Sequence, residues 1–155
     1  MQRTVASELE ILQGDHRRFF DLLDRLEDYL DGPYKKDRTY YAQAARTLEQ
    51  LMHCSEVFRD HLRAESALFS QLDRRAGKPP RVHAALEQQR QRARNYHVVL
   101  AQKCCAILNG DVNPPTCGLE EAIRRYSLAL KAQITFEEYV LYPLVSVFLN
   151  DTDID

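Results

Sequence analysis

No stretch of this chain approaches the roughly 18 consecutive apolar residues that a membrane-spanning helix needs, so no span is expected. No charge of one sign dominates: Lys and Arg number 21 against 23 Asp and Glu, a formal net charge of −2. That excludes the basic footprint of a protein that grips nucleic acid or an anionic membrane. There is no low-complexity tract. There is also no run of period-two alternation bounded by turn residues, which excludes a sheet. The cysteines, Cys54, Cys104, Cys105 and Cys117, form no C-x-x-C pair. Their spacing gives no support to a zinc site, and reduced thiols are the reading. The N-terminal MQRTVASELEILQGDHRR carries acids and a broken apolar pattern. It does not read as a signal peptide, so a cytoplasmic protein is expected. No nucleophile–base pair, phosphate loop or catalytic triad is present, and no enzyme class is assigned.

What is present is helical periodicity along almost the whole chain. The 155 residues, 45% hydrophobic and 28% charged, fit one soluble globular domain over residues 1–155. In a first segment Leu9, Leu12, His16, Phe19, Leu23, Leu26 and Leu30 alternate steps of three and four, the signature of one helix face. Asp31-Gly32-Pro33 stops it. A second segment, from about Thr39 to about Arg74, places Tyr41, Ala44, Leu48, Leu51, Ser55, Phe58, Leu62, Glu65, Phe69 and Leu72 inward, and Gly77-Lys78-Pro79-Pro80 ends it. A third places Leu86, Arg90, Ala93, His97, Leu100, Cys104, Ile107 and Leu108 inward, ending at Asn109-Gly110 before a Pro114-Pro115 loop. A fourth places Leu119, Ile123, Tyr126, Leu130, Gln133, Glu137, Val140 and Leu144 inward, and Pro143 is expected to kink it. Four amphipathic helices with short connections predict an all-α, up-down-up-down antiparallel four-helix bundle.

The inner faces are not purely apolar. His16, His61, Glu65, Arg90, His97, Gln133 and Glu137 all fall at or beside core positions. A carboxylate is rarely buried unless it is paired or bound to a metal, so Glu65 and Glu137 require a positive partner. Counting from the turns places His16, His61, Glu65, Arg90, Gln133 and Glu137 near one level of the bundle. Side chains four apart on a helix lie about 5–6 Å apart at Cβ, so His61 and Glu65 can reach one ion. Histidine and carboxylate ligands suit iron, manganese or zinc.

These motifs resemble those of the hemerythrin-like, or HHE cation-binding, family. "GDHRRFF" supplies His16, "DHLRAESALF" supplies His61 and Glu65 as H-x-x-x-E, and "QITFEEYVLYP" matches the fourth-helix motif from Glu137 through Pro143, with Tyr142 in its Phe position. The resemblance implies the bundle fold and a non-haem iron site, mono- or dinuclear, with His16, His61, Glu65 and Glu137 as ligands. It also implies roles in oxygen, nitric oxide or redox sensing, or in iron handling, with a small diatomic molecule as partner. Two positions depart from the pattern: the family's third-helix His falls at Arg90 and its fourth-helix His at Gln133.

Those departures leave two readings open. In one, a metal binds and Arg90 and Gln133 line the site, with His97 a further candidate there. Glu138 is then either an acceptor behind a ligand histidine or a solvated, salt-bridged residue, the second being preferred. In the other, the bundle is metal-free: Arg90 neutralises Glu65 and Glu137 through its rigid fork of donors, and the chain acts as a structural or protein-interaction module, with self-association into a homo-oligomer as one form of it. Tyr126 and Tyr96 read as packing aromatics, Cys54 and Cys104 as neighbours in the core, and His83 and His53 as outside the site.

Overall fold

The apolar spacing of the first segment becomes the buried stripe of helix α1, Val5–Asp31, in the computed structural model of the chain. Thr4 starts the helix by accepting the backbone N–H of Ser7 on Oγ1 at 3.2 Å, which satisfies one of the free donors of the first turn. The structure describes residues 4–31, 39–76, 81–113 and 117–149, leaving aside the side chains of residues 29–31, 39 and 76. The expected turn signals at Gly32-Pro33, Gly77-Lys78-Pro79-Pro80 and Pro114-Pro115, and the side chain of Leu30, lie outside that set.

Helix α2 spans Thr39–Ala76, α3 Arg81–Leu108 and α4 Leu119–Phe136. A π-helical turn, Glu137–Leu141, then leads into α5, Tyr142–Phe148. The last three elements form one continuous fourth rod. Helix α1 packs on α2 and α4, and α3 packs on the same two helices from the other side. This is the expected antiparallel four-helix bundle, with no β-strand element among the described residues. None of the described helices is long and apolar enough to cross a membrane. Helix α3 ends where expected. Gly110, at φ 75°, takes the left-handed conformation, and Asp111 N–H reaches back to the Ala106 carbonyl at 2.9 Å.

The core is split in two. One cluster holds Phe19, Leu23, Leu26, Leu51, Leu100, Ile107, Ile123 and Leu130, with Cys54 and Cys104 among them as expected. The other holds Leu9, Leu12, Leu68, Leu72, Leu86, Leu141 and Val145. His16 sits between Leu12 and Phe19 in sequence, Glu65 just before Leu68, Arg90 between Leu86 and Leu100, and Gln133 and Glu137 between Leu130 and Leu141. Each rod therefore crosses from one apolar cluster to the other through a polar position. A fully buried leucine contributes about 1.5–3 kcal/mol by leaving water, so the two clusters hold the rods together around that polar layer.

Three parts of the expected inner face are corrected. In α2, Tyr41 is 46% exposed and Ser55 is exposed, whereas Thr47 is buried together with Cys54 and His61, both expected inside. The shared row of Ala44, Leu51, Glu65 and Leu72 is inward, but its companion row runs one residue earlier than expected. The reason is the direction of the neighbours: Cys54 and His61 face α4 and α1, while Ser55 lies toward α3 at a half-open groove. In α3, Leu108 is 38% exposed, because the last turn leaves the bundle and Ile107 takes the inward place. In the fourth rod, Val140 is exposed and Leu144 only partly covered, while Leu141, Tyr142 and Val145 are buried. The π turn adds one residue to the helical cycle, so every inward position after Glu137 moves on by about one.

Pro143 accounts for much of this. It has no backbone N–H to continue an α-helical ladder, and it sits in the first turn of α5, where a missing donor costs little. The break expected at Pro143 thus appears just upstream of it as the π turn.

Truncating Leu100, which is fully buried in the larger cluster, to alanine is expected to lower the unfolding free energy by about 2–5 kcal/mol in chemical denaturation. The thiols divide by environment: Cys105 is exposed, whereas burial, with smaller contributions from Cys105 and Cys117, pushes the buried Cys104 thiol up to about 12. Mass mapping after brief alkylation of the native protein should find Cys105 modified first and Cys104 protected; the reverse order would contradict this packing.

Candidate metal centre

The polar layer draws one or more side chains from every rod. Helix α1 brings His16, α2 brings His61 and Glu65 one turn apart, α3 brings Arg90, and the fourth rod brings Gln133, Glu137, Glu138 and Tyr142. His16, His61, Glu65, Gln133 and Glu137 are all buried to 1% exposure or less.

The π turn shapes the fourth rod's contribution. Tyr142 N–H bonds the Glu137 carbonyl five residues back, rather than the carbonyl four back that an α-helix would use. Tyr142 therefore faces the layer with Glu137. Its hydroxyl donates to Glu65 Oε1 at 3.1 Å and lies 3.2 Å from His16 Nε2, with its ring stacked on the His16 ring at a centroid distance of 5.4 Å. Sequence reasoning missed this residue as a site member. The available signal was a tyrosine where the family motif has phenylalanine, which adds a hydroxyl that must find a partner once buried.

The two histidines are arranged alike. His16 Nε2 lies 3.0 Å from Glu137 Oε2, and its Nδ1 lies 2.8 Å from Glu138 Oε1. His61 Nε2 lies 3.8 Å from the same Glu137 Oε2, and its Nδ1 lies 3.5 Å from Asp15 Oδ2. Each ring thus turns Nε2 inward and Nδ1 toward an outer carboxylate, and His61 Nε2 also lies 3.7 Å from Glu65 Oε1. A carboxylate behind a histidine that faces a metal fixes the ring and its tautomer. Glu138, 30% exposed, forms an ion pair with His16, so it is salt-bridged as preferred and also stands behind that ring. Asp15, beside His16 in sequence, was not singled out as a site residue; its position on α1 opposite His61 is visible only in the folded bundle.

Arg90, with a side chain 11% exposed, reaches into the layer from α3. It donates to Glu65 Oε2, its Nε lies 3.8 Å from Glu137 Oε1, and its guanidinium stands over the Phe69 ring at 5.5 Å. Gln133 Nε2 donates to Glu137 Oε1 at 2.9 Å. Both Glu65 oxygens are therefore engaged, by Arg90 and by Tyr142.

The protonation tendencies follow from these contacts. Burial alone pushes the Glu137 carboxyl up, but the His16 and His61 imidazoles and the Gln133 amide outweigh it and hold the group well below the usual carboxylate range. Glu65 moves the other way: burial and the neighbouring Glu137 charge push it up against His61, Arg90 and Tyr142. Burial acts to lower His16, yet Glu137 and Glu138 together raise it.

Several buried polar atoms have no hydrogen-bond partner: both ring nitrogens of His61, Gln133 Oε1 and Arg90 Nε. Orphaned polar atoms are rare in protein interiors, and a bound ion is one of the standard reasons for them. One ligand atom each from His16, His61 and Glu137 lies within 4.8 Å of the others. Ligand bonds of about 2.0–2.2 Å separate two ligands of one ion by at most about 4.4 Å, so a shift of a few tenths of an ångström suffices to gather all three. Two imidazoles and a carboxylate form the donor set typical of non-haem iron(II) sites. The residues present fit a cation.

His97 does not join the layer. It lies two turns from Arg90, about 10 Å along α3, with its ring edge-on to Tyr126 and Nε2 3.4 Å from Ser55 Oγ. It lines a cavity of about 360 Å³ with Cys54, Phe58, Leu62 and Leu130. Tyr126 is a core residue as expected, its hydroxyl 3.5 Å from Cys54 Sγ. His53 is exposed, while His83 is partly covered by Phe69 and pairs with Asp73 at 3.3 Å.

Residues 7–145 match the family described as Hemerythrin HHE cation binding domain. That match covers most of the chain, which belongs to this family. Neither a curated protein nor a solved structure matches it at a significant level.

Replacing Arg90 with leucine in metal-free protein strands the buried Glu65 carboxylate. The unfolding free energy should fall by about 3–5 kcal/mol in denaturant titrations, the usual cost of removing one partner of a buried pair. Adding Glu65→Gln to that variant should recover part of the loss.

Proposed function

We propose that this chain binds non-haem iron, or a similar divalent ion, in the polar layer, with His16, His61 and Glu137 as ligands and Glu65 beside them. The observation that carries this reading is His61. Its ring is fully buried, both nitrogens lack hydrogen-bond partners, and Nε2 faces the same Glu137 oxygen that His16 faces. A buried imidazole without partners is costly, and an ion between these groups removes that cost.

The surrounding residues have distinct tasks. Glu138, 2.8 Å from His16 Nδ1, holds that ring with Nε2 turned inward, and Asp15 lies 3.5 Å behind His61 Nδ1. Gln133 holds Glu137 by one oxygen and leaves the other for the ion. Arg90 and Tyr142 hold Glu65 still. The two apolar clusters keep bulk water from the layer, which strengthens every charge interaction inside it. When bound, iron supplies one-electron redox chemistry and a place for a small diatomic ligand. The function proposed on this basis is oxygen, nitric oxide or redox sensing, or iron handling, in a cytoplasmic setting.

A second reading is favoured by a specific observation: Arg90 already bonds Glu65 and approaches Glu137. A metal-free layer neutralised by Arg90 would make the chain a structural or interaction module.

One experiment separates the two. Protein expressed with iron supplied, and purified without chelator or affinity metal, is assayed for metal and compared with His61→Phe. The expected result is iron in the parent chain and an iron affinity at least about tenfold weaker in the variant, with helical circular dichroism unchanged. A folded parent chain that carries no metal and takes up none on addition would establish the metal-free reading instead.

A further inference from the structure

We infer that Arg90 serves as a permanent second cation in the polar layer, so that the chain holds a single divalent ion rather than a pair; this rests on the cation-binding reading above.

The first support is the count of free donor atoms. Glu65 is the natural carboxylate for a second ion, yet Arg90 occupies its Oε2 and the Tyr142 hydroxyl its Oε1. Glu137 Oε1 takes the Gln133 amide at 2.9 Å. What remains is one inward set: His16 Nε2 and His61 Nε2 lie 3.0 and 3.8 Å from Glu137 Oε2, with Glu65 Oε1 3.7 Å from the same His61 nitrogen. Those atoms converge on one point. To bridge that point to another ion, a carboxylate would have to share an oxygen that already accepts from Arg90, Tyr142 or Gln133. The described groups of His, Cys, Asp and Glu that could hold an ion in this layer likewise reduce to His16, His61 and Glu137.

The second support is charge. Glu65 and Glu137 have fully buried side chains and are the carboxylates at the centre of the layer. The Arg90 guanidinium is always charged, so half of their combined charge is already balanced. An ion placed at Glu65 would stand beside that guanidinium with like charge in a poorly screened interior. The Arg90 guanidinium also stands over the Phe69 ring, 5.5 Å from its centroid. The remaining carboxylates, Glu138 and Asp15, lie on the outer nitrogens of the two histidines and are partly solvated. They orient the single ion's ligands and do not open a second position.

The test is stoichiometry. Purified chain is loaded anaerobically with iron(II), freed of loosely held metal, and read by native mass spectrometry and elemental analysis. A parallel manganese(II) loading is read by electron paramagnetic resonance. The parent chain is expected to carry one ion, with the manganese signal of an isolated ion. Arg90→Lys keeps the positive charge and should also carry one. The double variant Arg90→His/Gln133→His removes that charge and adds two imidazoles; it should carry two, with a spin-coupled manganese signal. Two ions in the parent chain would overturn the inference while leaving the cation-binding reading intact. So would a folded double variant that still carries one. A folded parent chain without metal would overturn both. The parent chain's own stoichiometry decides the matter if the double variant does not fold.

Discussion

Two carboxylates, Glu65 and Glu137, are buried within one layer of this bundle, and two like charges so placed demand positive charge between or beside them. Much of the layer's architecture answers that demand. Arg90 enters from α3 to bond one of them and approach the other. His16 and His61 turn a nitrogen toward Glu137, and Tyr142 and Gln133 donate to the oxygens that remain. Glu138 and Asp15 stand behind the histidines. The division of the apolar core into two clusters follows from the same requirement, since each rod must carry a polar side chain across the middle and resume leucine packing on either side.

The π turn is the local device that makes the layer complete. An uninterrupted α-helix would bring the residue four after Glu137, Leu141, back to its face. The extra residue brings Tyr142 there instead, and its hydroxyl joins Glu65 to His16. The same insertion turns Val140 outward and Leu141 and Val145 inward. Pro143, which cannot complete an α-helical ladder, is placed where the regular helix restarts. Local backbone chemistry and site chemistry therefore meet in one stretch of nine residues, Gln133 to Leu141, and the tyrosine that follows it.

Arg90 gives the layer its particular character. In a site built from neutral imidazoles and carboxylates, the charge is balanced wholly by bound ions. Here a guanidinium supplies part of it without exchange and without titration. That explains why the same geometry supports both a metal-bound and a metal-free reading of the layer: Glu65 is satisfied by the protein itself, whereas His61 is not.

Much of this was legible in the chain. Steps of three and four in the apolar residues determined four helices, and the turn residues between them determined antiparallel neighbours, because these are local consequences of backbone geometry. The H-x-x-x-E spacing of His61 and Glu65 and the position of Glu137 determined that polar groups would share a level, since residues one turn apart lie on one face. Other features were settled only by the folded bundle. The inward row of α2 depends on where α1, α3 and α4 stand around it, which buried Thr47, turned Tyr41 outward and placed Ser55 at a groove. The roles of Asp15, Glu138 and Tyr142 depend on contacts across 46, 122 and up to 126 residues of sequence. Periodicity within one helix carries no information about such distances. Only the tertiary structure decides which oxygen each histidine faces, and that is what distinguishes a ligand from a packed side chain.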